Sequence, residues 1–199
     1  MSCLIEHKIP LTTKEPIRSK AYKLPYYLTE AADKEIDELL RLGFIQTCEG
    51  SAYASPIVVV QKRDTDQIRL YVNYKRLNVA TIFDPEPMPE TEDILVKLVG
   101  CKYFSSTDCC KGYYAVPMAE DSKDYTAFIC HRGQFRFKVM SFGLVNSGAT
   151  YSRLQKIVLD GAKSIDNFVD DVICATSKFD EHLLSLRDLF TRMRRANLV

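Results

Sequence analysis

The stretch NFVDDVICAT, residues 167–176, sets two carboxylates, Asp170 and Asp171, side by side between segments that otherwise read as buried strand. Adjacent side chains on a regular strand point to opposite faces, so both can serve one point only if a tight turn falls at VDD. Asp is a favoured turn residue, and decoration of an exposed turn is the plain reading of the pair taken alone. A third carboxylate shifts the balance. Asp108 follows the alternating run KYFSSTD and is expected at the end of a neighbouring strand. Asp side chains brought together repel one another unless a divalent cation neutralises them, and hard oxygen ligands select Mg²⁺ or Mn²⁺. Two such ions about 3.5–4 Å apart are a known device for in-line phosphoryl transfer. Metal-assisted phosphoryl transfer is therefore the chemistry to expect of Asp108, Asp170 and Asp171.

The elements that must position these residues are legible in outline. Pro10, Pro16 and Pro25 punctuate residues 1–28, which predicts an extended arm. LTEAADKEIDELLRLG predicts a helix capped by Thr29 and stopped by Gly43. PIVVVQKR and IRLYVNYKRLN flank the polar turn RDTDQ and read as a hairpin carrying Lys62, Arg69, Lys75 and Arg76. DPEPMPE cannot be regular structure, since proline recurs at every second position. TEDILVKLVG predicts a short helix and KYFSSTDCCKGYYAVPM a β-rich run. YTAFIC and GQFRFKVM predict a second hairpin around HRG. SGATYSRLQKIVLDG predicts a helix with Tyr151, Leu154 and Val158 on one stripe, and FDEHLLSLRDLFTRMRRANL a second, amphipathic one. Hairpins and helices interleave without a strict β-α-β rhythm, so the fold class is α+β.

Composition narrows the function classes. The 27 basic and 26 acidic residues nearly cancel, so any nucleic-acid binding must rest on local patches. Seven cysteines form an odd set without a C-x-x-C pair, which fits a reduced, intracellular setting rather than a disulfide framework. No apolar run reaches bilayer-spanning length and the first residues lack a signal-peptide core, so no membrane partner is expected.

Four segments in order carry a resemblance: IRLYVNYKRLN, KYFSSTDCCKGYYAVPM, YTAFICHRGQFRFKVMSFGLVNSGATYSRLQ and NFVDDVI. Together they resemble the reverse transcriptase domain of gypsy-type long-terminal-repeat retrotransposon polyproteins. The resemblance implies a right-hand polymerase fold, with residues 1–83 and 117–147 as fingers, residues 84–116 and 148–199 as palm, and no thumb within the chain. It implies RNA-directed DNA polymerase activity with two Mg²⁺ ions, or Mn²⁺, on an RNA or DNA template-primer with deoxynucleoside triphosphates. Asp108, Asp170 and Asp171 match the metal-binding aspartates. Tyr113 matches the bulky residue beneath the incoming sugar, where a ring leaves no room for a 2′-hydroxyl. Lys62 and Arg69 match the cations that hold the triphosphate. Phe142 and Gly143, in SFGL, match the segment beside the nucleotide, Gly143 allowing close backbone approach. Asn146 matches a polar residue before the palm helix, and Lys75 and Arg76 are expected to meet template phosphate. The resemblance also implies a cytoplasmic location, in virus-like particles if the element is intact. Phe168 stands where the family usually has Tyr, removing a hydroxyl and keeping the ring. Two other readings stay open on the sequence: a catalytically silent remnant that binds nucleic acid weakly, and a two-metal nuclease or phosphatase, for which further acidic or His ligands are wanting.

Overall fold

The computed structural model describes every residue apart from 1, 3, 14, 62–67, 88–90, 110, 111, 169, 170 and 199. The chain divides into two compact units. One comprises residues 7–83 and 117–147, the other residues 1–6, 84–116 and 148–199. The first six residues thus group with the second unit, not with the arm that follows them.

In the first unit, helix α1 (Tyr26–Arg41) precedes strands β1 (Ile45–Thr47), β2 (Ser55–Gln61) and β3 (Ile68–Val72), helix α2 (Lys75–Ala80), and strands β5 (Phe128–Cys130) and β6 (Gly133–Phe137). The five strands form one sheet in the order β1-β6-β5-β2-β3. Helix α1 begins a turn earlier than a Thr29 cap predicts. Pro25 holds the N-cap with φ −57°, its ring fixing that angle, and the early start adds Leu28 to the buried stripe of Ala32, Ile36 and Leu39. The helix ends as expected at Gly43 (φ +70°). There Phe44 N–H bonds Leu39 and Gly43 N–H bonds Leu40, the paired closure that an αL glycine permits. The β2–β3 hairpin forms with Val60 opposite Arg69. It is shorter than predicted, because Lys75 and Arg76 lie on α2. The Asn73 side chain accepts the Lys75 N–H at 3.1 Å, turning the chain out of the ladder as Asn commonly does.

In the second unit, helix α3 (Thr91–Leu98) leads into strand β4 (Tyr103–Asp108) and a short 3-10 turn at Gly112–Ala115. Helix α4 (Ser147–Leu159), strands β7 (Ile165–Phe168) and β8 (Asp171–Thr176), and helix α5 (Phe179–Arg195) follow. The strands form an antiparallel sheet in the order β4-β8-β7. Alternation along β8 buries Val172 and Cys174 with Ile165 of β7 and Leu189 of α5, joined by Leu159, Leu186 and Met193. Arg192 of α5 donates to the Asp160 carbonyl at 2.7 Å, closing the end of α4, where carbonyls lack helical partners. Among the described residues, no helix is long and apolar enough to cross a membrane.

Candidate active site

The β4–β8 register sets Asp108 directly opposite Asp171. Directly paired residues project to the same face, here the face turned away from the buried Val172 and Cys174, and both aspartates are exposed. Neither has an ion-pair or hydrogen-bond partner among the described residues. Like charges directly opposite across two strands are destabilising unless something neutralises them. An exposed pair of hard oxygen donors, fixed by a ladder, therefore fits a divalent cation of the Mg²⁺ or Mn²⁺ type. Asp170 lies outside the described residues, and among those described no cluster of three acidic, His or Cys side chains gathers around one point.

Phe168 pairs with Asp171 across β7–β8, with only two residues between them in sequence. Two positions further along the same face, Asp166 forms an ion pair with Lys97 of α3. The face thus carries one neutralised carboxylate and two without a described partner.

Tyr113 sits half-buried in the 3-10 turn after β4. Its ring meets that of Tyr151 edge to face, centroids 5.2 Å apart and planes at 65°, a favoured aromatic geometry. Tyr151 is 1% exposed on α4. The helix is held by side chains of its own unit. Arg153 grips Asp84 through two bonds of 2.6 Å, and Arg153 and Lys156 both reach Glu86, at 2.8 and 2.7 Å. Hydrogen bonding from Lys156 holds the Glu86 carboxyl below the usual carboxylate range.

The opposite face of the same ladder carries a buried polar group that the sequence pattern did not single out. Ser105 and Cys174 are cross-strand partners, and the ring of His182, 5% exposed on α5, lies between them. Its Nε2 is 2.9 Å from the Ser105 hydroxyl and its Nδ1 3.7 Å from the Cys174 sulfur. Burial pushes the Cys174 thiol pKa up, which keeps it a packing group rather than a thiolate.

In the other unit, Arg69 is exposed on β3 with no ion-pair partner among the described residues; Lys62 lies outside them. Phe142 is exposed, and Gly143 adopts φ +87°. A β-carbon at Gly143 would meet the Val72 carbonyl at an ordinary 3.5 Å, so the backbone conformation, not crowding, calls for glycine there. The turn is clamped by Asn78, which donates to the Gly143 carbonyl at 2.7 Å and accepts the Val145 N–H at 3.0 Å. Sequence reading missed Asn78 because it placed KRLN in a strand; an Asn on a helix facing a Gly turn is a signal only once α2 is known.

Two expected nucleic-acid contacts have other partners. Asn146 is 4% exposed and donates to the Ile82 carbonyl at 2.9 Å, so its amide is committed inside the fold. Arg76 bonds the Arg18 carbonyl and lies 3.3 Å from the Ser19 hydroxyl, fastening the N-terminal arm to α2. Lys75 alone of the three is exposed with neither a side-chain hydrogen bond nor an ion pair among the described residues.

The family model for reverse transcriptase (RNA-dependent DNA polymerase) matches residues 60–199. The retrovirus-related Pol polyprotein of transposon 297 of Drosophila melanogaster is 34% identical over 98% of this chain and 19% of its own length. The corresponding polyprotein of transposon gypsy, from the same organism, is 31% identical over 92% of this chain and 18% of its own length. The chain thus spans about a fifth of the length of these curated relatives. Among solved structures, a foamy viral protease-reverse transcriptase in complex with double-stranded DNA superimposes with a TM-score of 0.90 at 26% identity, covering 100% of this chain and 35% of that one. A foamy viral protease-reverse transcriptase in complex with an RNA/DNA hybrid gives 0.88 at 26% identity, over 98% of this chain and 26% of that one. The fold is accordingly the α+β fold of polymerase fingers and palm that the sequence led us to expect. The chain belongs to the reverse transcriptase family, in the branch carried by gypsy-type long-terminal-repeat retrotransposon polyproteins.

Proposed function

We propose that this chain catalyses templated addition of deoxynucleotides to a primer 3′-hydroxyl with release of pyrophosphate, residues 7–83 and 117–147 acting as fingers and residues 84–116 and 148–199 as palm. The observation that carries the reading is the cross-strand pair of Asp108 and Asp171, exposed on one face of the sheet in a chain of this family. Asp170 is their proposed third partner. Bound Mg²⁺ or Mn²⁺, in a two-ion arrangement, would lower the pKa of the attacking hydroxyl and stabilise charge in the phosphoryl transition state. The aspartates' own task is to hold oxygen donors at fixed spacing on a rigid ladder, so that little reorganisation is needed at the moment of reaction.

Arg69, with Lys62, is assigned the triphosphate, for which an exposed guanidinium with no ion-pair partner among the described residues is suited. Tyr113 is assigned the sugar, its ring excluding a 2′-hydroxyl. The Phe142–Gly143 turn, held by Asn78, flanks the nucleotide. Lys75 is assigned template phosphate, a contact independent of sequence and weakened by salt. The complexes of the foamy viral enzyme with DNA and with an RNA/DNA hybrid support a template-primer duplex as the partner. Retention of Asp108, Asp171 and Tyr113 weighs against a silent remnant.

Primer extension on a homopolymeric RNA template tests the reading. Metal-dependent incorporation is expected, abolished by Asp108→Asn. Absence of incorporation by folded chain with either Mg²⁺ or Mn²⁺ contradicts it.

A further inference from the structure

We infer that Tyr151 is the positioning residue for the sugar-facing ring of Tyr113, and that position 112 is glycine because the Tyr151 side chain fills the space a β-carbon would need. The inference rests on the polymerase reading and adds to it a second pair of residues that sets deoxynucleotide selectivity.

Gly112 is not among the residues with positive φ, so its backbone conformation is open to any side chain. Space is what excludes one. A β-carbon there would fall 2.4 Å from the Tyr151 hydroxyl oxygen and 2.7 Å from the ring carbon bearing it, well inside van der Waals contact. Tyr151 cannot swing aside cheaply: it is 1% exposed, and α4 is tied just after it by the Arg153–Asp84 and Asn167–Gln155 contacts. The same ring stands edge to face against Tyr113.

Tyr151 therefore touches two consecutive residues of the 3-10 turn, the backbone at Gly112 and the ring at Tyr113. One contact sets how far the turn sits from α4, and the other sets the tilt of the discriminating ring. Telling a 2′-hydrogen from a 2′-hydroxyl is a matter of one atom, and displacements of about 1 Å are significant at such a contact. A side chain added at Gly112 must push either the turn or Tyr151, and Tyr113 moves in both cases.

Two measurements test this on the same set of chains. Thermal melts of wild type, Gly112→Ala, Tyr151→Phe and the double variant read the interlock without any need for activity. Gly112→Ala should lower Tm, and the loss should be smaller in the Tyr151→Phe background; strictly additive losses overturn the interlock. Primer extension then compares kcat/KM for a deoxynucleotide and the matching ribonucleotide. Tyr151→Ala and Gly112→Ala should cut the preference for the deoxynucleotide by about tenfold, while Tyr151→Phe, which keeps the ring, should hold it near the wild-type ratio. An unchanged ratio in Tyr151→Ala, with deoxynucleotide still incorporated, overturns the positioning role and leaves the polymerase reading standing. A wild-type chain that melts cooperatively and extends no primer overturns both the polymerase reading and the selectivity role, whatever the melts show of the packing.

Discussion

The β4–β8 ladder carries polar pairs at two places and treats them in opposite ways. Ser105 and Cys174, near its middle, face the core and receive the buried ring of His182. Asp108 and Asp171, at its end, face outward and meet no described partner. Burying a polar group without a hydrogen bond is costly, so the interior pair must be answered by the protein itself. The exposed pair can be left for something that arrives from solution. Asp166 sharpens the contrast, because it shares the aspartates' face and yet is answered by Lys97. Unanswered charge at this sheet end is a property of two positions, not of the whole surface.

The largest expected effect separates the carboxylates of that face. Asp171→Asn should reduce primer extension by about 10²–10³-fold or more, the scale set by losing one preorganised group at a reacting centre. Asp166→Asn should stay within a few fold of wild type, since a partly exposed ion pair contributes roughly 0–1 kcal/mol to stability and this one makes no contact assigned to chemistry. Equal losses in the two variants would erase the distinction drawn between them.

The interior pair should respond in stability instead. His182→Ala removes the partner of the half-buried Ser105 hydroxyl and should cost about 0.5–1.5 kcal/mol in denaturant unfolding, with a cavity adding to the loss. Asp108→Asn, measured the same way, should be neutral or stabilising, because it relieves the repulsion across the ladder. Destabilisation by Asp108→Asn comparable to that of His182→Ala would mean that the end of the ladder is structural too.

The smallest effect concerns the support of α4. Glu86 has a folded pKa held below its unfolded value by Lys156, so it adds stability above the ordinary carboxylate range and loses it as pH falls through the folded value. Acid unfolding of Lys156→Met should therefore show a weaker pH dependence below the ordinary carboxylate range than wild type. Identical acid profiles would remove Glu86 from the account.

Much of this was legible beforehand because it is written in local pattern. The alternation in KYFSSTD and the strand-turn-strand reading of IDNFVDDVICATS anticipated the paired ends of β4 and β8, and the Tyr151, Leu154, Val158 stripe anticipated α4. Errors arose where a side chain redirects the backbone or chooses a partner far along the chain. Asn73 turns YVNYKRLN from strand into helix, and with it the facing of Lys75 and Arg76. Asn146 looked available for ligand until Ile82, 64 positions away, proved to take its amide. The role of Gly112 was not legible, since nothing in KGYY announces that a tyrosine on α4 occupies its missing side chain.

The central claim is that the end of the ladder is built to hold a divalent cation between chain segments that contribute Asp108 and Asp171. Titration of the folded chain with Mn²⁺, followed by electron paramagnetic resonance of the free ion, measures this without nucleotide or template. The account predicts binding in wild type and in His182→Ala, provided that variant remains folded at the titration temperature, and its loss in both Asp108→Asn and Asp171→Asn. Undiminished Mn²⁺ binding in the two aspartate variants would contradict it.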